Sequence, residues 1–164
     1  MVTLEERFVL HTTSADIEFD MTTASFAERF LDYHVTIRAL DDARAAGVCF
    51  PTRVPCSTYQ GSFRSFRRLF EEYLSGGKDT DGVPDEASEI FLAMELDFFF
   101  YFRGRLGCWP DGRRVRLVFM LIMPSSPPNE RDYAGIEGSV AVDAVRGLFE
   151  FMSEWETVLR RTAS

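Results

Sequence analysis

The sequence predicts an α+β domain, a mainly antiparallel sheet of five to six strands with two amphipathic helices packed on it. Three observations lead there. Alternation of apolar and polar residues, the mark of a strand with one buried face, recurs along the chain. Two other segments repeat their apolar residues at three- and four-residue steps, which is the helical period. The order, strands then a helix, more strands then a helix, is that of helices layered on an antiparallel sheet. At 164 residues, 46% hydrophobic and with 16 Phe, the chain can bury a substantial core, and residues 1–164 are expected to form one domain.

The first strands are short. Arg7 to Thr12 carries Phe8 and Leu10, Ala15 to Met21 carries Ile17, Phe19 and Met21, and Thr12-Thr13-Ser14 between them predicts a hairpin. A third strand sets Leu31, Tyr33, Val35, Ile37 and Ala39 on one face and Asp32, His34, Thr36 and Arg38 on the other, toward water. Asp41 to Gly47 reads as a polar connection or a single helical turn. Val48 to Pro55 is extended, and because Pro51 and Pro55 have no N–H to give to a ladder it is an edge strand or a loop.

The first helix opens at Gly61-Ser62, with Ser62 as the expected N-cap. It places Phe63, Phe66, Leu69, Phe70, Tyr73 and Leu74 opposite Arg64, Arg67, Arg68, Glu71 and Glu72, and ends at Gly76-Gly77. After an acidic loop with Gly82 and Pro84, Ser88 to Gly107 reads as one long strand. Ile90, Leu92, Met94, Leu96, Phe98, Phe100 and Phe102 share its first face; Glu95, Asp97, Phe99 and Tyr101 belong to the second. Trp109-Pro110-Asp111-Gly112 is a turn, and Arg113 to Met123 returns as the partner strand, with Phe102 expected beside Phe119 and Phe100 beside Leu121. Ala134 to Val142 adds a last strand. A closing helix, Asp143 to Arg161, puts Val145, Leu148, Phe149, Met152, Trp155, Val158 and Leu159 on one stripe, with Asp143 as its cap and Arg160 and Arg161 against its dipole.

Chemical signals are sparse. The two histidines, His11 and His34, fall on or beside strands, where a surface role is expected, and no nucleophile elbow, phosphate loop, dinucleotide fingerprint or zinc-protease motif occurs. Cys49 and Cys56, even with His34, lack a fourth zinc ligand. No cofactor, metal or catalytic centre is therefore expected. The three cysteines, with Cys108, are odd in number and form no CxxC pair, the N-terminus begins without an apolar leader, and no stretch is long enough to cross a membrane as a helix; a cytoplasmic protein with reduced thiols is expected.

Charge and apolar patterning suggest where a partner binds. The net charge of −8 disfavours nucleic acid and favours a basic protein. The acids cluster at Asp79, Asp81, Asp85, Glu86, Glu89, Glu95 and Asp97, while Arg103, Arg105, Arg113, Arg114 and Arg116 follow in the next hairpin. The acidic block is the expected partner-binding surface, able to speed association with a basic protein. A second candidate interface is the apolar face of Phe99, Tyr101, Val118, Met120 and Ile122; either a helix covers it, or it is a partner or dimer contact.

The helix Ser62-Phe63-Arg64-Ser65-Phe66-Arg67-Arg68-Leu69-Phe70, the strand Ile90-Phe91-Leu92-Ala93-Met94-Glu95-Leu96 and the final Phe149-to-Leu159 helix together resemble the WapI-like immunity proteins of bacterial polymorphic-toxin systems, over about residues 30 to 161. The resemblance implies a small acidic cytoplasmic protein that occludes a cognate toxin's active site or substrate surface. Two other classes fit the same composition. An inhibitor of a host defence nuclease would disperse its acids along one long face, and a small enzyme or ligand-binding domain would enclose His34 or His11 beside a buried carboxylate.

Overall fold

A computed structural model of the chain describes residues 4–40, 50, 52–76, 89–93, 97–103, 114–122 and 132–163. The elements are β1 (Arg7–His11), β2 (Ala15–Ala27), β3 (Phe30–Ala39), β4 (Val54–Tyr59), α1 (Ser62–Gly76), β5 (Glu89–Ala93), β6 (Phe98–Arg103), β7 (Arg114–Ile122), β8 (Tyr133–Ala141) and α2 (Val142–Thr162). The fold is α+β, and the described residues form antiparallel strands and two helices, as expected. Instead of one sheet of five to six strands, the strands form two four-stranded sheets, β1-β2-β3-β4 and β5-β6-β7-β8. No described helix is long and apolar enough to cross a membrane.

Two differences raise the strand count. Val54–Tyr59 is a full edge strand on β3, shifted toward the C-terminus from the predicted extended segment. The segment read as one strand from Ser88 to Gly107 is a hairpin, with Leu92 opposite Phe100 and Ala93 opposite Phe99. An even-numbered residue pairs with an even-numbered one across this hairpin, so its two strands reproduce the period-two pattern of a single strand. The β6–β7 register also differs from the expectation by two residues, with Phe100 opposite Phe119 and Phe102 opposite Leu117. A slip of two keeps every side chain on its face, so alternation alone does not distinguish the two registers.

The sheets meet at their edges and face each other across the core. Thr12 bridges Val140, Thr13 N donates to Ser139 O at 3.0 Å, and Ser139 N donates to Thr13 Oγ1 at 2.9 Å, stitching β1 to β8. Phe19 of β2 packs on Phe98, Phe100 and Phe119 of the second sheet at centroid distances of 6.1, 6.3 and 6.1 Å. Phe149 of α2 joins the same cluster, against Phe100 at 5.8 Å and against Phe63 and Phe70 of α1 at 6.3 and 6.0 Å. Each fully buried Phe contributes about 1.5–3 kcal/mol by removal from water, whereas an exposed ion pair contributes about 0–1 kcal/mol. The aromatic cluster, not the surface charge, therefore holds the layers together.

The two helices run antiparallel and are pinned at three levels. Gly61 N donates to the buried Glu156 carboxylate at 3.0 Å, Arg67 meets Glu150 at 2.7 Å, and Arg146 grips Glu71 through two bonds of 2.7 and 2.9 Å. The hydrogen bonds from Arg146 hold the Glu71 carboxyl below the usual range. The first helical bond of α1 runs from Ser65 N to Gly61 O, so the cap position belongs to Gly61 (φ +82°) rather than to the expected Ser62. Glu156 does there what a cap side chain would do, placing a carboxylate at the positive end of the helix. Nor does Asp143 cap α2; it lies in the first turn and accepts from Arg146 at 3.1 Å, and the cap position is Ala141.

The β2–β3 hairpin turns on Glu28 (φ 50°) and Arg29 (φ 72°), two left-handed residues of the kind usually supplied by Asn-Gly. At the other edge of this sheet, β4 is shielded. Ser57 N points away from β3 and donates to the Asp97 carboxylate at 2.6 Å. Pro55 lies two residues earlier, on the same outward side, and has no N–H to offer.

Candidate interaction surface

Alternation along β6 and β7 divides the second sheet into two faces. Phe98, Phe100, Phe102, Leu117, Phe119 and Leu121 are buried toward the helices, as the contacts of Phe102 with Phe70 (4.8 Å) and of Phe100 with Phe149 show. Phe99, Tyr101, Val118, Met120 and Ile122 therefore face the opposite way, and all five are half-buried. Both described helices pack on the inner face, and among the described residues neither covers this second apolar face.

Register orders the outward face into rows. Phe99 lies opposite Met120, Tyr101 opposite Val118, and Ile122 opposite Tyr133, which is 42% exposed and whose ring lies 5.6 Å from Phe99. Met120 in turn faces Gly135, where a Cβ would collide with the Phe119 carbonyl and with Met120 Sδ. The methionine lies against bare backbone, so this glycine is set by close approach. Beyond Val118 the face turns polar: exposed Arg116 pairs with Glu137 at 2.6 Å, and Arg114 donates to Ser139 Oγ and Ser139 O at 3.0 Å each. An apolar row of Phe, Tyr and Met bordered by arginine has the composition of a protein-binding surface rather than of ordinary solvent-facing sheet.

Of the predicted acidic site, the structure describes only Glu89 and Asp97. Asp79, Asp81, Asp85, Glu86 and Glu95 lie outside the described residues. Glu89 is the first residue of β5, with its backbone opposite Arg103. Asp97, half-buried, sits at the start of β6, where its main-chain carbonyl accepts from Ile122 N at 2.8 Å and its carboxylate from Ser57 N. This carboxylate is built into the join between the sheets. Behind it lies Cys56, a free thiol in the core that burial, and then the Asp97 charge, pushes well above its ordinary pKa.

The outward face of the first sheet carries a feature that sequence reasoning passed over. Asp16, Glu18 and Asp20 alternate with Ile17, Phe19 and Met21 along β2, and each has a partner: the His11 ring on Asp16 at 2.8 Å, Arg38 on Glu18 at 2.9 Å, and Arg53 on Asp20 at 3.5 Å. Burial alone would push the Asp20 carboxyl up; the Thr22 hydroxyl and amide, then Arg7 and Arg53, hold it below its usual value. The signal was the alternation of acids with core residues. His34, opposite Asp20 in the register, contacts Thr23 Oγ1 at 3.3 Å. Because these acids already have partners within the chain, the outward face of the second sheet is the stronger docking candidate. Among the described residues no group of three or more His, Cys, Asp or Glu is arranged to hold a metal. No protein-family model, curated protein or solved structure matches this chain.

Proposed function

We propose that this protein is a stoichiometric binding protein rather than a catalyst, an immunity protein that neutralises a cognate bacterial toxin by occluding its active site or substrate surface. The observation that carries the reading is the row Phe99, Tyr101, Met120 and Ile122, half-exposed on the sheet face turned away from both helices. Large apolar side chains on a rigid sheet supply the desolvated centre of an interface at low entropic cost. The acids Asp79, Asp81, Asp85, Glu86, Glu89 and Glu95, in a chain of net charge −8, supply long-range attraction to a basic toxin domain. Arg116 is already paired with the Glu137 carboxylate within the sheet, which offsets its charge.

The test is co-expression with the toxic domain encoded immediately upstream in the source genome. Rescue of growth with co-purification in fixed ratio is the expected result. Charge reversal at Asp79, Asp81, Asp85 and Glu86 is expected to slow association about tenfold or more at low salt, with the loss shrinking as salt rises. Phe99→Ala with Met120→Ala is expected to accelerate dissociation. Failure to rescue from a demonstrably toxic neighbour overturns the immunity reading; unchanged dissociation in the double variant removes the outward face from the interface.

A further inference from the structure

Antiparallel α1 and α2 leave a cleft of about 490 Å³ on their outer side, lined by Leu4, Arg64, Arg67, Glu150, Ser153, Glu154, Thr157 and Val158. The pins between the helices advance in step along both, from Gly61–Glu156 through Arg67–Glu150 to Glu71–Arg146. Arg64 thereby falls level with Ser153 and Glu154. At this one level the charges do not close: Arg64 and Glu154 are exposed and make no ion pair among the described residues, while the levels on either side are bonded.

The walls differ in hydrogen-bonding character. On the α1 side stand the guanidinium groups of Arg64 and Arg67, which only donate. On the α2 side, Ser153 and Thr157 spend their hydroxyl protons on the carbonyls of Phe149 and Ser153, at 2.7 and 2.8 Å. Their oxygens, like the Glu154 carboxylate, are left to accept. Leu4 and Val158, the latter 39% exposed, add apolar surface to the same cleft.

We infer that this cleft binds a small zwitterion, an α-amino acid with an apolar side chain, with its carboxylate on Arg64, its ammonium on Glu154 and its side chain against Leu4 and Val158. A planar guanidinium suits a carboxylate through paired hydrogen bonds, and three acceptors suit an ammonium. The volume lies within the usual range for small-molecule sites. The inference does not depend on the inhibitor reading, since it uses a different face of the molecule.

The experiment is an amide NMR titration of the full chain with L-leucine to about 20 mM, a range that reaches millimolar dissociation constants. Leucinamide, which lacks the carboxylate, and N-acetyl-leucine, which lacks the ammonium, serve as matched probes. Saturable shifts at residues 64, 153, 154 and 157 are expected, with affinity falling about tenfold or more for either blocked probe and in both Arg64→Gln and Glu154→Gln. Both substitutions are on exposed positions, so the variants' spectra report folding directly. Absence of saturable shifts, equal binding of the blocked probes, or binding unchanged in both variants overturns the proposal.

Discussion

Phe99 and Phe100 are adjacent in sequence and lie on opposite faces of the second sheet, so truncating each in turn tests the architecture. Phe100 is 0% exposed, and its ring lies within 5.0–6.3 Å of Phe119, Phe98, Phe149, Phe102 and Phe19, contacts that reach both sheets and α2. Phe100→Ala removes a fully buried ring whose surroundings, held by three layers, have little freedom to collapse; the expected cost is about 3–5 kcal/mol. For a chain of this size that lowers Tm by roughly 10 °C. Phe99 is half-buried, with Tyr133 as its ring neighbour, and Phe99→Ala should cost about 1 kcal/mol. Equilibrium urea unfolding followed by tryptophan fluorescence and by far-ultraviolet circular dichroism measures both losses. Equal losses in the two variants would refute the assignment of faces, and with it the docking surface built on the outward one.

Asp20 binds fewer protons when folded than when unfolded, because its carboxyl is held low in the native state. Its contribution to stability is therefore full above the unfolded carboxylate pKa of about 4 and is lost as pH falls through the folded value, so Asp20→Asn should flatten the acid limb of a stability–pH profile and cost about 2 kcal/mol at neutral pH. An unchanged slope below pH 5 would count against the Thr22, Arg7 and Arg53 partnership. Glu156→Gln keeps the size of the buried cap but removes its charge; a loss of about 1 kcal/mol is expected, with faster hydrogen exchange confined to the first turn of α1. Exchange that rises uniformly over both helices would contradict that local role. In a Cys49→Ser, Cys108→Ser background, Cys56 should stay unreactive to a disulfide reagent until the protein unfolds, since its thiol is buried and its pKa is raised. Prompt labelling of the native protein would show that the β4 side of the core is open.

The sequence announced elements better than it announced pairings. β3, α1, β7 and α2 stood out because each carries a sustained period, and each appears within a residue or two of its expected bounds. The β5–β6 hairpin was hidden by parity: Leu92 lies on the same core face as Phe100 and Phe102 whether the chain runs straight or folds back. The β2–β3 turn lacked its usual residues, and Glu28 and Arg29 adopt left-handed backbone at a cost on the order of 1 kcal/mol each. The cap of α1 comes from Glu156, 95 residues away in sequence from the Gly61 amide it accepts, beyond any local motif. Of the candidate interfaces, the apolar row on Phe99, Tyr101, Met120 and Ile122 was legible because alternation alone separates it from the core. The cleft between the helices was not, since it arises from the axial register of α1 against α2.

The carboxylate of Asp97 has a consequence for every experiment that treats it as a contact residue. With Pro55 offering no amide, the Asp97–Ser57 bond is what occupies the next outward amide of the β4 edge. A bare strand edge is a template for another strand, in a second molecule as readily as in a binding partner. Asp97→Ala would free that amide, and the variant would be prone to concentration-dependent oligomers or fibres whatever it does to partner binding. Loss of affinity in such a variant reads as loss of a contact only when light scattering gives it the same mass as the unsubstituted protein at the assay concentration; Asp97→Asn, which keeps an acceptor oxygen for Ser57, separates the charge of this residue from its guard over the edge.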